Sequence, residues 1–165
     1  MAQPHEIIFS HDLPTRLAPQ QVWAELEKAF QDSGTSVLWP TELCRVHGTR
    51  GIVEGAQVRV GYRFLGFESP MPYTLSEVKP GERFRYEAAD GHPFVGGARV
   101  WIEPTPLGCT LHWYGRYTYT GFSPASVFFR LYFERAFFGN LRRNLRWMEA
   151  ASHTQTRQGQ PLAMS

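Results

Sequence analysis

The chain has 165 residues, 42% of them hydrophobic and 19% charged, and a formal net charge of +2, which fits one soluble globular domain. Aromatics reach 15% of the chain (12 Phe, 7 Tyr and 5 Trp), more than a disordered or linker protein carries, so the sequence buries something. Its 15 acidic residues are interspersed among 17 basic ones, so no stripe tracks a phosphate backbone and nucleic acid is not an expected partner.

The first element is a strand over His5 to Leu13, where apolar and polar residues alternate up to Pro14. A helix follows from Pro19, with Val22, Trp23, Leu26, Ala29 and Phe30 at helical spacing until Asp32-Ser33-Gly34. Val37 to Trp39 is expected to form one further turn, closed by Pro40. Six strands come next: Leu43 to Thr49, Gln57 to Phe64, Tyr73 to Lys79, Arg83 to Ala88, Ala98 to Glu103 and Cys109 to Tyr119. Turn residues such as Pro80-Gly81, Asp90-Gly91 and Leu107-Gly108 punctuate the joins, as in an antiparallel meander. From Pro124 to Ala151 the pattern is helical, about 40 Å at about 1.5 Å per residue and long enough to cross a sheet. Residues 1–151 therefore read as one domain and 152–165 as a disordered tail.

This order is an α+β layout in which one long helix covers one face of a curved sheet. It resembles the helix-grip fold of the SRPBCC superfamily, which includes START-related lipid-binding domains, the birch-pollen allergen group and polyketide cyclase/dehydrase-like proteins. The resemblance spans about residues 5 to 151. Carrying it are Ala18 to Leu26 (APQQVWAEL), Trp39-Pro40, Glu77 to Glu87 (EVKPGERFRYE), Val100 to Trp113 (VWIEPTPLGCTLHW) and Asn140 to Glu149 (NLRRNLRWME). It implies seven curved antiparallel strands around a long C-terminal helix, with one or two short helices after the first strand. It implies no shared catalytic motif, because this container serves many ligands and several chemistries.

Strand alternation places Val58, Val60, Tyr62 and Phe64, then Phe84, Tyr86 and Ala88, then Ala98, Val100 and Ile102, then Leu111, Trp113, Tyr117 and Tyr119 on the face beneath the helix. That apolar lining dotted with hydroxyls suits a mostly hydrophobic ligand held by a few hydrogen bonds. On the long helix, Phe137, Phe138, Leu141, Leu145 and Met148 define the inner direction, and extending it backward at 100° per residue passes through Arg130 and Glu134. These two either overhang the sheet, pair with each other at i,i+4 spacing, or line a wet cavity and meet a ligand. The expected ligand-binding set is thus Tyr62, Phe64, Tyr86, Trp113, Tyr117, Arg130, Glu134 and Phe138. Connections at the end where the long helix begins carry Phe67, Met71, Phe94 and Phe122, the expected mouth.

The six histidines fall on separate elements and the glycines between Gly48 and Gly55 lack a phosphate-loop ending, so neither a metal site nor a cofactor is expected. Cys44 and Cys109 stand apart with no ligand spacing, which reads as reduced thiols in a cytoplasmic protein. No apolar run reaches the roughly 18 to 20 residues of a membrane span. The favoured function is binding of a hydrophobic or amphipathic small molecule such as a lipid, quinone, polyketide or aromatic metabolite. One alternative is a cyclase/dehydratase-type enzyme with Glu134 as general acid/base and Arg130 stabilising an enolate. The other is a protein-interaction accessory module whose contact is the apolar loop end or a Phe129, Phe133 and Trp147 stripe, the stripe either packing under the first helices or mediating a homodimer.

Overall fold

Alternating apolar side chains produce seven strands, and all but the first pair with their neighbours in sequence. The computed structural model describes residues 4–48, 50–120 and 127–158, without the side chains of Phe64, Leu131 and 155–158. The strands are β1 (Pro4–Thr15), β2 (Cys44–His47), β3 (Gln57–Phe64), β4 (Phe67–Lys79), β5 (Arg83–Ala88), β6 (Val95–Thr105) and β7 (Gly108–Thr120). They form one sheet in the order β1-β7-β6-β5-β4-β3-β2, antiparallel throughout. β1 crosses back to pair with β7 along its whole length, from Pro4 opposite Thr120 to Thr15 opposite Cys109.

Two strands start earlier than periodicity suggests, β4 at Phe67 and β6 at Val95. Pro70 and Pro72 read as breakers in sequence, yet both sit within β4. The Pro72 carbonyl accepts the Ala89 amide at 3.1 Å, so its backbone polar groups face the β5 side. Pro70, two residues away, faces the same side, beyond the last β4–β5 pair at Tyr73 and Ala88, so neither proline removes a bond to β3.

Helix α1 (Pro19–Gln31) opens with the Gln21 side chain accepting the Ala18 amide at 2.9 Å, and it buries the apolar stripe read from sequence. Glu25 is buried with it, because its carboxylate takes the Val37 amide at 2.8 Å and the Lys28 ammonium at 2.6 Å. The short turn expected at Val37 to Trp39 lies instead at Ser33–Thr35, where Asp32 Oδ1 accepts the Gly34 amide.

The long C-terminal helix is not uniformly α. Phe129–Phe133 forms a π turn in which the Glu134 amide reaches back to the Phe129 carbonyl, and helix α2 (Glu134–Gln158) follows, running past Ala151 into the stretch expected to be disordered. Phe133, Phe137, Phe138, Leu141, Leu145 and Met148 are buried. An i→i+5 turn holds more residues than an α turn, so the phase extrapolated from α2 at 100° per residue fails before Glu134. Arg130 therefore lies exposed, while Phe129 and Phe133 turn inward and leave only Trp147 of the expected interaction stripe on the surface. Farther along, Asn144 donates to the Leu38 carbonyl at 2.9 Å, and the Glu149 carboxylate accepts from the Thr15 hydroxyl and the Arg16 amide. These bonds pin the second half of the helix to the β1 end and the segment after α1.

Candidate functional site

A hollow remains between the sheet and the front half of the long helix, walled almost wholly by aromatic rings. It has an inner chamber of about 40 Å³ among Phe9, Trp39, Tyr86, Trp113, Phe137 and Phe138. An outer chamber of about 130 Å³ is lined by Met71, His92, Phe94 and Phe128. Tyr62, Tyr73, Tyr117, Phe129 and Phe133 line both. For scale, an engineered apolar cavity of about 150 Å³ takes up one benzene molecule.

Sheet register creates this wall. Phe9 on β1 faces Gly115 on β7, and a Cβ at Gly115 would lie 2.2 Å from the Phe9 ring, so the missing side chain is what admits the ring. Edge-to-face packing then ties the rings together: Phe137 meets Trp39 at 5.2 Å and Trp113 at 5.5 Å, and Tyr62 meets Phe133 at 4.7 Å.

The polar content of the hollow is a set of hydroxyls. Trp113 Nε1–H donates to the Tyr86 hydroxyl at 2.8 Å, and the Tyr62 and Tyr73 hydroxyls lie 2.7 Å apart. Tyr117 lines both chambers together with Tyr62 and Tyr73. Burial, the largest influence on each, raises all four tyrosines well above their ordinary value of 10.0, so they stand as neutral donors. Neither chamber has a charged side chain in its lining.

His92, on the turn between β5 and β6, completes the outer chamber. Its ring lies 4.7 Å from that of Tyr73 and stacks parallel to Tyr117 at 6.3 Å. Nδ1 lies 3.0 Å from the Phe94 amide and 3.1 Å from the Phe94 carbonyl; a buried amide N–H is less readily left unpaired than a carbonyl, which favours Nδ1 as acceptor and the ring proton on Nε2. That Nε2 is buried and has no hydrogen-bond partner among the described residues. Burial lowers the His92 pKa from its ordinary 6.5, against an opposing effect of the Phe94 backbone, and so favours the neutral ring.

The sequence-derived candidates divide. Tyr62, Tyr86, Trp113, Tyr117 and Phe138 come together around the hollow, and Met71 and Phe94 line its outer chamber. Phe67 is instead 81% exposed at the tip of the β3–β4 hairpin. The Phe64 side chain and Phe122 lie outside the described residues. Arg130 and Glu134 line neither chamber and do not pair with each other. Glu134 instead meets His11 Nε2 on β1 at 2.8 Å, and the His11 ring stacks on Phe138 at 3.8 Å. His11, His92 and Tyr73 were missed. Tyr73 begins the β4 strand as read from sequence, and the apolar residues flanking His92 in its loop were the one available hint.

Elsewhere, a broad open groove of about 840 Å³ crosses the outer face of the sheet. Its arginines are largely spoken for: Arg85 and Arg99 meet Glu77, and Arg116 meets Glu6. Among the described residues no group of three or more His, Cys, Asp or Glu is arranged to hold a metal, and no helix is long and apolar enough to cross a membrane.

A curved antiparallel sheet gripping a long helix over an aromatic hollow defines a helix-grip protein. The family model for polyketide cyclase/dehydrase and lipid transport matches residues 9–152, and the chain belongs to that family. A search of curated proteins finds no match. Among solved structures, an uncharacterised protein from Rhizobium leguminosarum is similar at TM-score 0.62 and 13% identity, over 88% of this chain and 98% of that one. A norcoclaurine synthase point mutant from Thalictrum flavum, in complex with a transition-state analogue, is similar at TM-score 0.62 and 11% identity, over 93% and 99%. Ara h 8.0201 is similar at TM-score 0.55 and 13% identity, over 87% and 97%.

Proposed function

We propose that this protein binds a hydrophobic or amphipathic small molecule, inserted between the sheet and the front half of the long helix. The aromatic hollow with its buried hydroxyls carries this reading, since a filled core would place close-packed aliphatic groups there and leave no polar atoms to orient anything. Family membership supports hydrophobic-ligand binding in general. The volume favours one aromatic ring over a long acyl chain unless the front of the helix moves. An acid/base role for Glu134 draws no support from its geometry, because its carboxylate is held by His11 outside both chambers. The free buried thiols of Cys44 and Cys109 fit a reducing, cytoplasmic setting.

Titration with toluene, followed by side-chain NMR, tests the reading. Saturable shifts confined to residues such as Tyr62, Tyr117, Phe129 and Phe133 are expected. Absence of saturable shifts there, together with no apolar molecule co-purifying from the native source by mass spectrometry, would remove it.

A further inference from the structure

The polar groups of the hollow leave donors over. Trp113 can only donate, so the Tyr86 hydroxyl is the acceptor of their bond. In the Tyr62–Tyr73 pair one hydroxyl donates to the other at 2.7 Å, so the second proton of the pair is left for a further acceptor in the chamber both line. His92 Nε2–H is a donor without a partner among the described residues, and it borders the same chamber. A proton on Nδ1 instead would reach the Phe94 carbonyl at 3.1 Å but leave the Phe94 N–H, 3.0 Å from that atom, without its acceptor, the rarer and costlier omission. A buried donor left unmade costs about 1–3 kcal/mol, so the chamber as it stands is short of an acceptor.

The acceptor's charge and size are also constrained. Neither chamber is lined by a cation, and an unpaired anion buried among aromatic rings is strongly unfavourable. The outer space of about 130 Å³, with the adjoining inner space of about 40 Å³, matches one six-membered ring with a small substituent. We propose that the outer chamber recognises a neutral one-ring carbonyl compound, its ring packed against Phe129 and Phe133 and its oxygen accepting from His92 Nε2–H, with the spare proton of the Tyr62–Tyr73 pair beside it. This rests on the hydrophobic-cavity reading and adds to it the chemical class of the ligand and the residue that selects it. His92 is then a specificity-determining residue of the binding site.

Three probes of similar shape separate the two claims: acetophenone, α-methylstyrene, in which a CH₂ replaces the carbonyl oxygen, and benzoate, which carries a charge. Calorimetric titration of the full chain is expected to show acetophenone binding about tenfold more tightly than α-methylstyrene, as one buried hydrogen bond supplies, and benzoate not binding. In His92→Phe the tenfold preference disappears while α-methylstyrene still binds. ¹⁵N NMR of the wild-type imidazole gives a readout that does not depend on how the variant folds: the His92 Nε2 signal moves with acetophenone and stays in place with α-methylstyrene. Equal affinities for the two neutral probes, or an Nε2 signal indifferent to acetophenone, overturn the carbonyl assignment and leave the cavity reading standing. If none of the probes binds and toluene is also silent, both fall.

Discussion

Four tyrosines and one histidine set the chemistry of the hollow, and burial governs them all. Tyr62, Tyr73, Tyr86 and Tyr117 are held neutral above their ordinary value of 10.0, whereas in the unfolded chain they ionise near it. Above that pH the unfolded state therefore binds fewer protons than the folded one, and stability falls as pH rises. In an alkaline titration followed at the tyrosinate absorbance band, these four of the seven tyrosines are expected to ionise only as the protein unfolds. Reversible ionisation of all seven in a protein that keeps its circular dichroism would contradict that burial. His92 has the opposite sign: its folded pKa lies below 6.5, so in the window beneath that value the unfolded chain binds more protons and stability rises with pH. The difference in denaturation midpoint between about pH 5 and 7 is expected to shrink in His92→Phe. Tyr62, Tyr86 and Tyr117 were legible in sequence because strand alternation assigns a face to every second residue. His92 was not, since a turn has no period and only the fold shows which way its side chain points.

The long helix shows how an element can be read correctly in place and wrongly in phase. Its burial against the sheet follows from Phe137, Leu141, Leu145 and Met148, but the π turn at Phe129–Phe133 rotates everything before Glu134 relative to that stripe. Sequence carries no warning of an i→i+5 bond, so Arg130 was assigned to a face that Phe129 and Phe133 occupy, while Glu134, one turn before Phe138, faces β1 but is taken up by His11 beside the hollow. The anchors of the helix are unevenly distributed. Asn144 and Glu149 hold its second half by hydrogen bonds, whereas Glu134 meets only a partly exposed His11, a kind of pair worth about 0–1 kcal/mol. Backbone amides from Phe129 to Phe133 are therefore expected to exchange with deuterium faster than those from Leu141 to Met148. Uniform protection along the helix would show that its front half is as firmly held as its rear. The same asymmetry identifies the segment that moves if a ligand larger than one ring is to enter.

At the scale of the whole molecule, the meander and its covering helix were legible because each strand after the first pairs with a sequence neighbour and turn residues mark the joins. The size of the hollow was not, since it depends on how rings from β1, β3, β4, β7 and the helix interlock, and periodicity says nothing about such packing. A ligand that binds only the folded chain stabilises it by about 2.7 kcal/mol at one hundred times its dissociation constant. For a domain of this length, that corresponds to a rise in Tm of about 5–11 °C. Differential scanning calorimetry with acetophenone is the check, and an unchanged Tm at a concentration calculated to saturate would deny specific binding to the folded state. The pairing of β1 with β7 also bears on how the protein is made. At about 5–20 residues per second, a ribosome needs about 5–20 s to go from Thr15 to Gly108, and throughout that interval Ile7, Phe9 and Leu13 have no strand to pair with. The nascent chain emerges with its first strand apolar and unmatched, so chaperone dependence should concentrate at the N-terminus and end only when the last strand has cleared the exit tunnel.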